Sequence, residues 1–147
     1  SDGVGNIGQS DNSFNTVHAK ATSAQYADLA EKYEADADYD EGTVVMFGGD
    51  KEVTICGSSN CKAIAGIIST SPAYSMNDGL EADNVAVVAL VGRVPCKVTG
   101  SIKKGDLMVS AGDGKAKADN GAGIGEVIGK ALADSEGEGV IEVVVKH

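Results

Sequence analysis

Short β-branched runs separated by glycine-rich turns constrain the fold of this chain more than any other feature. The runs are Thr43–Phe47, Glu52–Cys56, Ala63–Ser69, Val85–Val91, Val94–Thr99, Asp106–Ser110, Ile124–Ala131 and Val140–Val145. Turn sequences such as GGDK, NDG, GDGK and EGEG lie between them. β-Branched residues favour strands, whereas glycine, aspartate and asparagine favour turns. Because no helical spacers separate the runs, they predict a mostly-β domain, either a small closed barrel or a compact sandwich of about eight short strands.

Several of these runs carry apolar residues at both sets of alternating positions, so that both faces of the strand are apolar. The segments IAGIIS, VAVVALVG and VIEVVV are of this kind. A strand that is apolar on both faces must be covered on both faces, by a second sheet or by a neighbouring chain. In a chain of 147 residues, the second possibility indicates an oligomer.

The charge of the chain excludes several classes of function. Twelve basic residues against 22 acidic residues give a formal charge of −10, and Arg93 is the only arginine. A phosphate backbone would be repelled by such a chain unless a basic face were segregated, so no nucleic-acid partner is expected. No apolar run approaches the ~18 residues that a membrane-spanning helix needs, so no membrane insertion is expected. No cofactor motif is present, because the glycine-rich 111–125 stretch opens no helix and is explained by turns.

The N-terminal part of the chain differs from the β-domain, which we place at residues 42–147. Residues 1–22 are polar and glycine-rich, with isolated apolar side chains at Val4, Ile7, Phe14 and Val17. Alone they cannot bury enough apolar surface to fold. We therefore expect an extended arm that packs against something else. The first residues, Ser-Asp, are compatible with a new terminus left by cleavage and equally with a fragment boundary.

Residues 23–41 are expected to form a short helix followed by an acidic linker. Tyr26, Leu29, Ala30 and Tyr33 fall at i, i+3, i+4 and i+7, which places them on one helical stripe. The competing interpretation is an extended strand, since EKYEADADY also alternates between polar and apolar residues. We favour the helix.

The acidic linker contains the one arrangement that resembles a calcium loop. Asp36, Asp38 and Asp40 alternate, and such side chains on a turn can direct oxygens at a hard cation. Against this interpretation, Gly42 falls at the seventh position of the loop and Phe47 at the twelfth, where a bidentate glutamate would be needed. A solvated acidic linker is the favoured interpretation, with the three aspartates kept as a weak candidate Ca²⁺ site and no other metal site expected.

The three cysteines leave two interpretations open. Cys56 and Cys61 bracket CGSSNC, a hairpin tip across which a disulfide is feasible. Free thiols are the alternative for a protein assembled in a reducing cytosol. Cys96 is interpreted as a small buried apolar residue.

The order and spacing of several segments resemble a known family. These are ADLAEKYEADADYDEGTVV, AGIISTSPAYSMN, VALVGRVPCKVTGSIKKGDLMVSAGDGKA, IGKAL and VIEVVVKH, preceded by NIGQSDNSFNTVHAKATSAQY. Together they resemble the C-terminal domain of phage tail-fibre and neck-appendage proteins. That family includes autocleaving intramolecular chaperones of the glutamic-peptidase type.

The resemblance implies a homotrimer that sits at the C-terminal end of a fibre and sets the assembly of the upstream fibre segments. Ile7, Phe14 and Val17 would then be trimer contacts. The chain would belong to a virion, as part of a tail or appendage, and would be assembled in the host cytoplasm. In the autocleaving relatives, a glutamate beside the ADLAE motif is implicated, which maps onto Glu31, with Asp28 one helical turn earlier on the same face.

We therefore expect a structural virion protein, with two alternatives. The first is a self-cleaving chaperone domain, in which Glu31 and Asp28 would serve a single-turnover peptide cleavage. Only in that case would the chain be an enzyme. The second is a receptor-binding fibre tip that binds the host cell surface through exposed aromatic residues, for which Tyr26, Tyr39 and Tyr74 are the candidates.

Overall fold

The computed structural model of the chain describes residues 7–18, 23–24 and 26–146, and in these ranges it contains ten β-strands and no helix. The strands are β1 (Asp28–Glu34), β2 (Val44–Phe47), β3 (Val53–Ile55), β4 (Ile64–Ile68), β5 (Tyr74–Met76), β6 (Val85–Val98), β7 (Leu107–Gly112), β8 (Lys115–Ala118), β9 (Val127–Ala131) and β10 (Gly139–Val145). Within the described ranges, no helix has the length and apolar character needed to span a membrane.

Five of the strands close into a barrel in the order β6, β10, β9, β7, β8. Antiparallel pairing joins β10 to both β6 and β9, and joins β7 to both β9 and β8. The ring is completed where Val98 of β6 pairs in parallel with Ala116 of β8. Closure leaves these strands without free edges. The predicted mostly-β barrel is thus confirmed.

The 14-residue strand β6 is shared between the barrel and an outer layer. Its C-terminal half pairs with β10 and β8 in the barrel. Its N-terminal half pairs with β1 and with β4, and β4 leads outward to β2 and β3. The outer strands therefore cover part of β6 that the barrel leaves open.

The core consists of two clusters of aliphatic side chains. The larger cluster draws on the barrel strands and on β2 and β4, and its largest fully buried members include Ile67, Ile102, Met108 and Ile128. The smaller cluster lies under the outer strands and contains Ala35, Val45, Val53, Ala65, Ile68, Ala86 and Val88, with Tyr33, Tyr39 and Leu90 packed against it. The aromatic side chains that pack on the core thus lie beside the smaller cluster, not in the barrel.

The predicted short helix within residues 23–41 is wrong, because the segment forms strand β1 instead. Every residue from Asp28 to Glu34 pairs with β6, and Leu29, Ala30 and Glu31 also pair in parallel with β5. Hydrogen bonds to two neighbouring strands satisfy the backbone groups that a helix would have satisfied internally. The alternation of EKYEADADY was therefore the better guide to the local structure.

The number of strands also differs from the expectation of about eight. The runs Val85–Val91 and Val94–Thr99 form one continuous strand, β6. Strands β1, β5 and β8 were not predicted, because their sequences DLAEKYE, YSM and KAKA contain no β-branched residues. They are strands because their neighbours supply a ladder, which is a tertiary effect.

Candidate functional site

A cleft at the start of β1 is the candidate functional site. Asp28, the first residue of β1, is only 5% exposed, and its Oδ2 atom has no hydrogen-bond partner among the described residues. Its backbone is held on one side by the amide of Ala73, which donates to the Asp28 carbonyl at 2.8 Å. Most buried polar side-chain atoms have a partner, so an orphaned carboxylate oxygen marks this position as a functional candidate.

The close approach of β1 to β6 at this point depends on Gly92, which is paired with Asp28. Gly92 has a φ of +107°, and a Cβ atom built on it would lie 2.2 Å from the carbonyl oxygen of Ala27. Only a glycine avoids this collision and accepts this backbone conformation without strain. Gly92 therefore fixes where the Asp28 carboxylate lies.

The cleft beside Asp28 has a volume of about 260 Å³. Its walls come from five separate parts of the chain, and the lining residues are Tyr26, Ala27, Asp28, Glu41, Ser69, Thr70, Ser71, Arg93, Val94, Pro95 and Glu142. Most of these side chains are polar, with hydroxyl groups from the 69–71 run and carboxylates from three segments. The cleft thus suits a polar, donor-rich group better than an apolar one.

Two residues that line the cleft, Arg93 and Glu142, form an ion pair. The guanidinium of Arg93 on β6 donates from Nη2 and Nε to Oε2 of Glu142 on β10, at 2.6 Å and 2.7 Å. Both side chains are about half exposed, at 54% and 46%, so the pair contributes little to folding stability. It leaves Asp28 and Glu41 as the carboxylates of the cleft that lack a partner cation in it.

Glu31 lies away from this cleft. A separation of three residues places side chains on opposite faces of a strand, so Asp28 and Glu31 do not share a face as the expected helix implied. The Glu31 carboxylate instead accepts a hydrogen bond from the Tyr33 hydroxyl at 2.6 Å. Burial, followed by this bond and the charges of Glu31 and Glu52, raises the pKa of Tyr33 to about 12.

The three aspartates of the weak calcium candidate do not converge. Asp36 accepts hydrogen bonds from the hydroxyls of Tyr39 and Thr54, and these two bonds, Tyr39 first, lower the pKa of Asp36. Asp40 lies 3.5 Å from the ammonium group of Lys97, and Asp38 is exposed. In the part of the chain that the structure describes, no three or more histidine, cysteine, aspartate or glutamate side chains are grouped closely enough to hold a metal ion.

All three cysteines are buried and carry free thiols. The pKa of Cys56 is raised, chiefly by burial, and burial raises the pKa of Cys96 to about 12. Cys56 and Cys61 both belong to the larger core cluster. Of the two interpretations of CGSSNC, the structure has the free thiols.

The predicted trimer contacts are exposed on the single chain. Ile7, Phe14 and Val17 are 81%, 63% and 65% exposed. A small turn organises this segment, since the backbones of Gln9 and Asn12 exchange two hydrogen bonds of 3.0 Å and 3.2 Å. The apolar side chains of the arm therefore have no cover of their own within residues 7–18.

The sequence prediction missed most of the cleft. Ser69, Glu41 and Glu142 are far apart in the chain and meet Asp28 only because β1, β4 and β10 surround β6. A signal was present for Arg93, since a lone arginine in an apolar run indicates pairing with a carboxylate. Nothing in the sequence identified Glu142 as that carboxylate.

Of three comparisons with known proteins, the one with solved structures found similar chains. No protein-family model matches the chain, and no curated protein matches it. Among solved structures, the pre-mature gene product 12 of bacteriophage phi29 is similar, with a TM-score of 0.68 and 15% identity over 92% of this chain and 24% of that one. The chain thus spans about a quarter of that protein's length.

A second structure is the C-terminal fragment of the same gene product 12. It has a TM-score of 0.60 and 15% identity over 81% of this chain, and the similarity covers 100% of the fragment. The base of the phi29 head fibre gp8.5 has a TM-score of 0.47 and 18% identity, over 80% of this chain and 92% of that one. At these identities, the two gene product 12 structures establish a shared fold.

Proposed function

We propose that this chain is a homotrimeric C-terminal domain of a phage fibre or appendage, and that its association sets the assembly of the fibre. The observation that carries the proposal is the exposed arm, in which Ile7, Phe14 and Val17 have no cover on the single chain. Apolar side chains grouped on one segment mark a surface for association. The fold shared with the whole C-terminal fragment of phi29 gene product 12 supports the part of the proposal that concerns a phage structural protein.

In this proposal, the domain functions in the virion, follows upstream fibre segments, and is assembled in the host cytoplasm. Association between identical copies would bury the arm and leave the closed barrel of each copy intact. The barrel then serves as a rigid base that holds the arms in register.

Native mass spectrometry tests the proposal on the chain extended by its natural upstream fibre segment, because one spectrum gives both stoichiometry and covalent mass. A species of three chain masses at micromolar concentration is the expected result. Monomers at all accessible concentrations would contradict the proposal. Replacing Phe14 by Ala should shift the distribution towards monomer, whereas replacing Ile124, which is 99% exposed on a separate loop, should not.

Self-cleavage is a second candidate function, and one specific observation favours it. The Asp28 carboxylate is 5% exposed, has an unpartnered oxygen and adjoins a polar cleft. A buried carboxylate in a cleft is a common form of general acid or base. The neighbouring structure described as pre-mature gene product 12 is consistent with a protein that undergoes processing.

Native mass spectrometry also distinguishes which of the two candidate acids, Asp28 or Glu31, takes part in cleavage. If the chain cleaves itself, replacing Asp28 by Asn should abolish the cut masses and leave the trimer intact. Replacing Glu31 by Gln provides the comparison, since that carboxylate lies on the other face of β1 and is engaged by Tyr33. Chains that remain uncut without any replacement would remove this candidate.

A further inference from the structure

A second concave surface lies on the outside of the barrel, next to the Asp28 cleft, since its residue Val144 pairs with Arg93 of that cleft. It has a volume of about 500 Å³ and is lined by Lys104, Gly105, Leu107, Val127, Gly129, Lys130, Ala131, Leu132, Val144 and Lys146. We call it the barrel groove. Its size falls within the ~300–1,000 Å³ range of typical ligand sites.

The register of three strands explains why the barrel groove is apolar. Leu107 of β7 pairs with Lys130 of β9, and Lys130 pairs in turn with Val144 of β10. Their neighbours Met108 and Val145 are fully buried, so this row points outward. Leucine and valine side chains thus form the walls of the groove on the outer face of the barrel.

Gly129 allows β9 and β10 to approach each other closely beneath the barrel groove. It pairs with Met108 and Val145, which are fully buried, so it faces the barrel interior. A Cβ atom built on it would come within 2.0 Å of the carbonyl oxygen of Val144. The residue that lies between the Leu107 and Val144 walls on the outer face is therefore Lys130.

Three exposed lysines surround this apolar surface, at positions 104, 130 and 146. None of their ammonium groups lies within ion-pair distance of a carboxylate in the described part of the chain. The chain has a formal charge of −10, so a cluster of unpaired lysines is a departure from its general character. The barrel groove therefore favours an apolar occupant that carries negative charge.

The arm has that composition. The arm, residues 1–22, contains two acidic residues, Asp2 and Asp11, and one basic residue, Lys20. Its 7–18 stretch contains Asp11 and no lysine or arginine, and Ile7, Phe14 and Val17 are exposed there on the single chain. None of residues 7–18 lines the barrel groove of its own chain. An uncovered apolar segment with acidic residues thus coexists with an uncovered apolar groove with basic residues.

We infer that the barrel groove binds the arm of a second copy of this chain, with Phe14 as the main anchor and Asp11 facing the lysines. This inference rests on the proposed self-association and specifies which surfaces meet. The outer surface of the barrel would thus serve as a binding site for the arm, a role that the fold of the single chain does not require. The occupant is a copy of this chain, not a different protein.

Cross-linking between differently tagged copies tests the inference. One copy carries Asn15→Cys in the arm and the other carries Lys130→Cys at the barrel groove, and a short bis-maleimide reagent is added to the mixed, reassembled protein. The native cysteines are buried and provide a low background. The expected result is a cross-linked pair containing both tags, formed only in the mixture and not by either variant alone.

Each of the other outcomes of the cross-linking and mass-spectrometry experiments would contradict the arm-in-groove contact, the proposed self-association, or both. A trimer by native mass spectrometry without cross-links overturns the arm-in-groove contact and leaves the proposed function standing. A chain carrying both replacements that cross-links only within itself shows that the groove takes its own arm, which also overturns the inference. Monomers throughout overturn both.

A second measurement does not depend on cross-linking geometry. Replacing Phe14 by Ala should weaken self-association at least about tenfold, and Lys130→Glu should weaken it with a reduced dependence on salt. Ile124→Ala removes an exposed apolar side chain outside the groove and should leave self-association unchanged. Equal effects of Phe14→Ala and Ile124→Ala would overturn the inference.

Discussion

Asp28 of β1 lies directly opposite Gly92 of β6, and the missing side chain of Gly92 is what allows the two strands to approach. A Cβ on residue 92 would lie 2.2 Å from the Ala27 carbonyl oxygen and 2.9 Å from the Asp28 Cα atom. Both are backbone atoms, so relief requires the strands to separate. The position of the candidate carboxylate thus depends on a residue that carries no functional group.

Replacing Gly92 by Ala should therefore destabilise the domain more than backbone strain alone explains. Gly100 provides the matched control, since its φ of +82° is also unfavourable for alanine but nothing lies within 4 Å of its Cβ position. We expect Gly100→Ala to cost about 1 kcal/mol and Gly92→Ala to cost about 2 kcal/mol more. Urea denaturation of both variants measures the difference, and equal costs would contradict the close approach of β1 and β6.

The barrel core should be sensitive to truncation in a way that its surface is not. Ile128 is fully buried in the larger cluster, whereas Ile124, four residues earlier, is 99% exposed. Ile128→Ala should lower the free energy of unfolding by about 2–5 kcal/mol, because it removes buried methyl groups and leaves a cavity. Ile124→Ala should change it by less than about 0.5 kcal/mol. Similar losses for both variants in thermal or urea unfolding would contradict the assignment of Ile128 to the barrel interior.

The sequence predicted the barrel much better than it predicted the candidate site, and the strands show why. The valine and isoleucine runs of β2, β4, β9 and β10 carry their own local preference for an extended backbone. Strand β1 has no such local preference, since DLAEKYE fits both the residue spacing of a helix and the alternation of a strand. Only the ladder with β6 and β5 decides between them, and that is a long-range interaction.

The residues of the cleft could not be predicted from the sequence for the same reason. The ion pair between Arg93 and Glu142 depends on the register of β6 with β10, in which Val144 is the residue paired with Arg93. Glu142 approaches from a neighbouring position along β10. No local pattern encodes such a register, whereas the apolar character of both strands was plain from their sequences.

The reactivity of the three cysteine thiols tests whether they are buried in the core. Cys56, Cys61 and Cys96 are buried, and the raised pKa of Cys56 and Cys96 keeps these two protonated at pH 8. Since the thiolate is the reactive form, we expect no alkylation of the native protein by iodoacetamide at that pH. In denaturant without reductant, all three should react, as counted by mass spectrometry. One reactive thiol in denaturant would instead reveal a Cys56–Cys61 disulfide.

The ionisation of Asp36 should make the stability of the outer strands depend on pH. The hydroxyls of Tyr39 and Thr54 donate to its carboxylate and lower its pKa in the folded state below the ordinary value of 3.8. A lowered folded-state pKa contributes stability that is fully present above the unfolded-state pKa and is lost as the pH falls through the folded-state pKa. The contribution should thus be complete at pH 6 and disappear below the ordinary range of an aspartate.

Unfolding midpoints measured from pH 6 downward test this dependence. Asp36→Asn should be less stable than the unchanged chain at pH 6, and the difference should shrink as the pH falls, because protonation removes the same interactions from the unchanged chain. Asp38→Asn is the control, since Asp38 is exposed and makes no side-chain hydrogen bond within the described residues. A difference between Asp36→Asn and the unchanged chain that is constant with pH would show that the Tyr39 and Thr54 bonds do not favour the ionised carboxylate, and that the bend after β1 is held by other contacts.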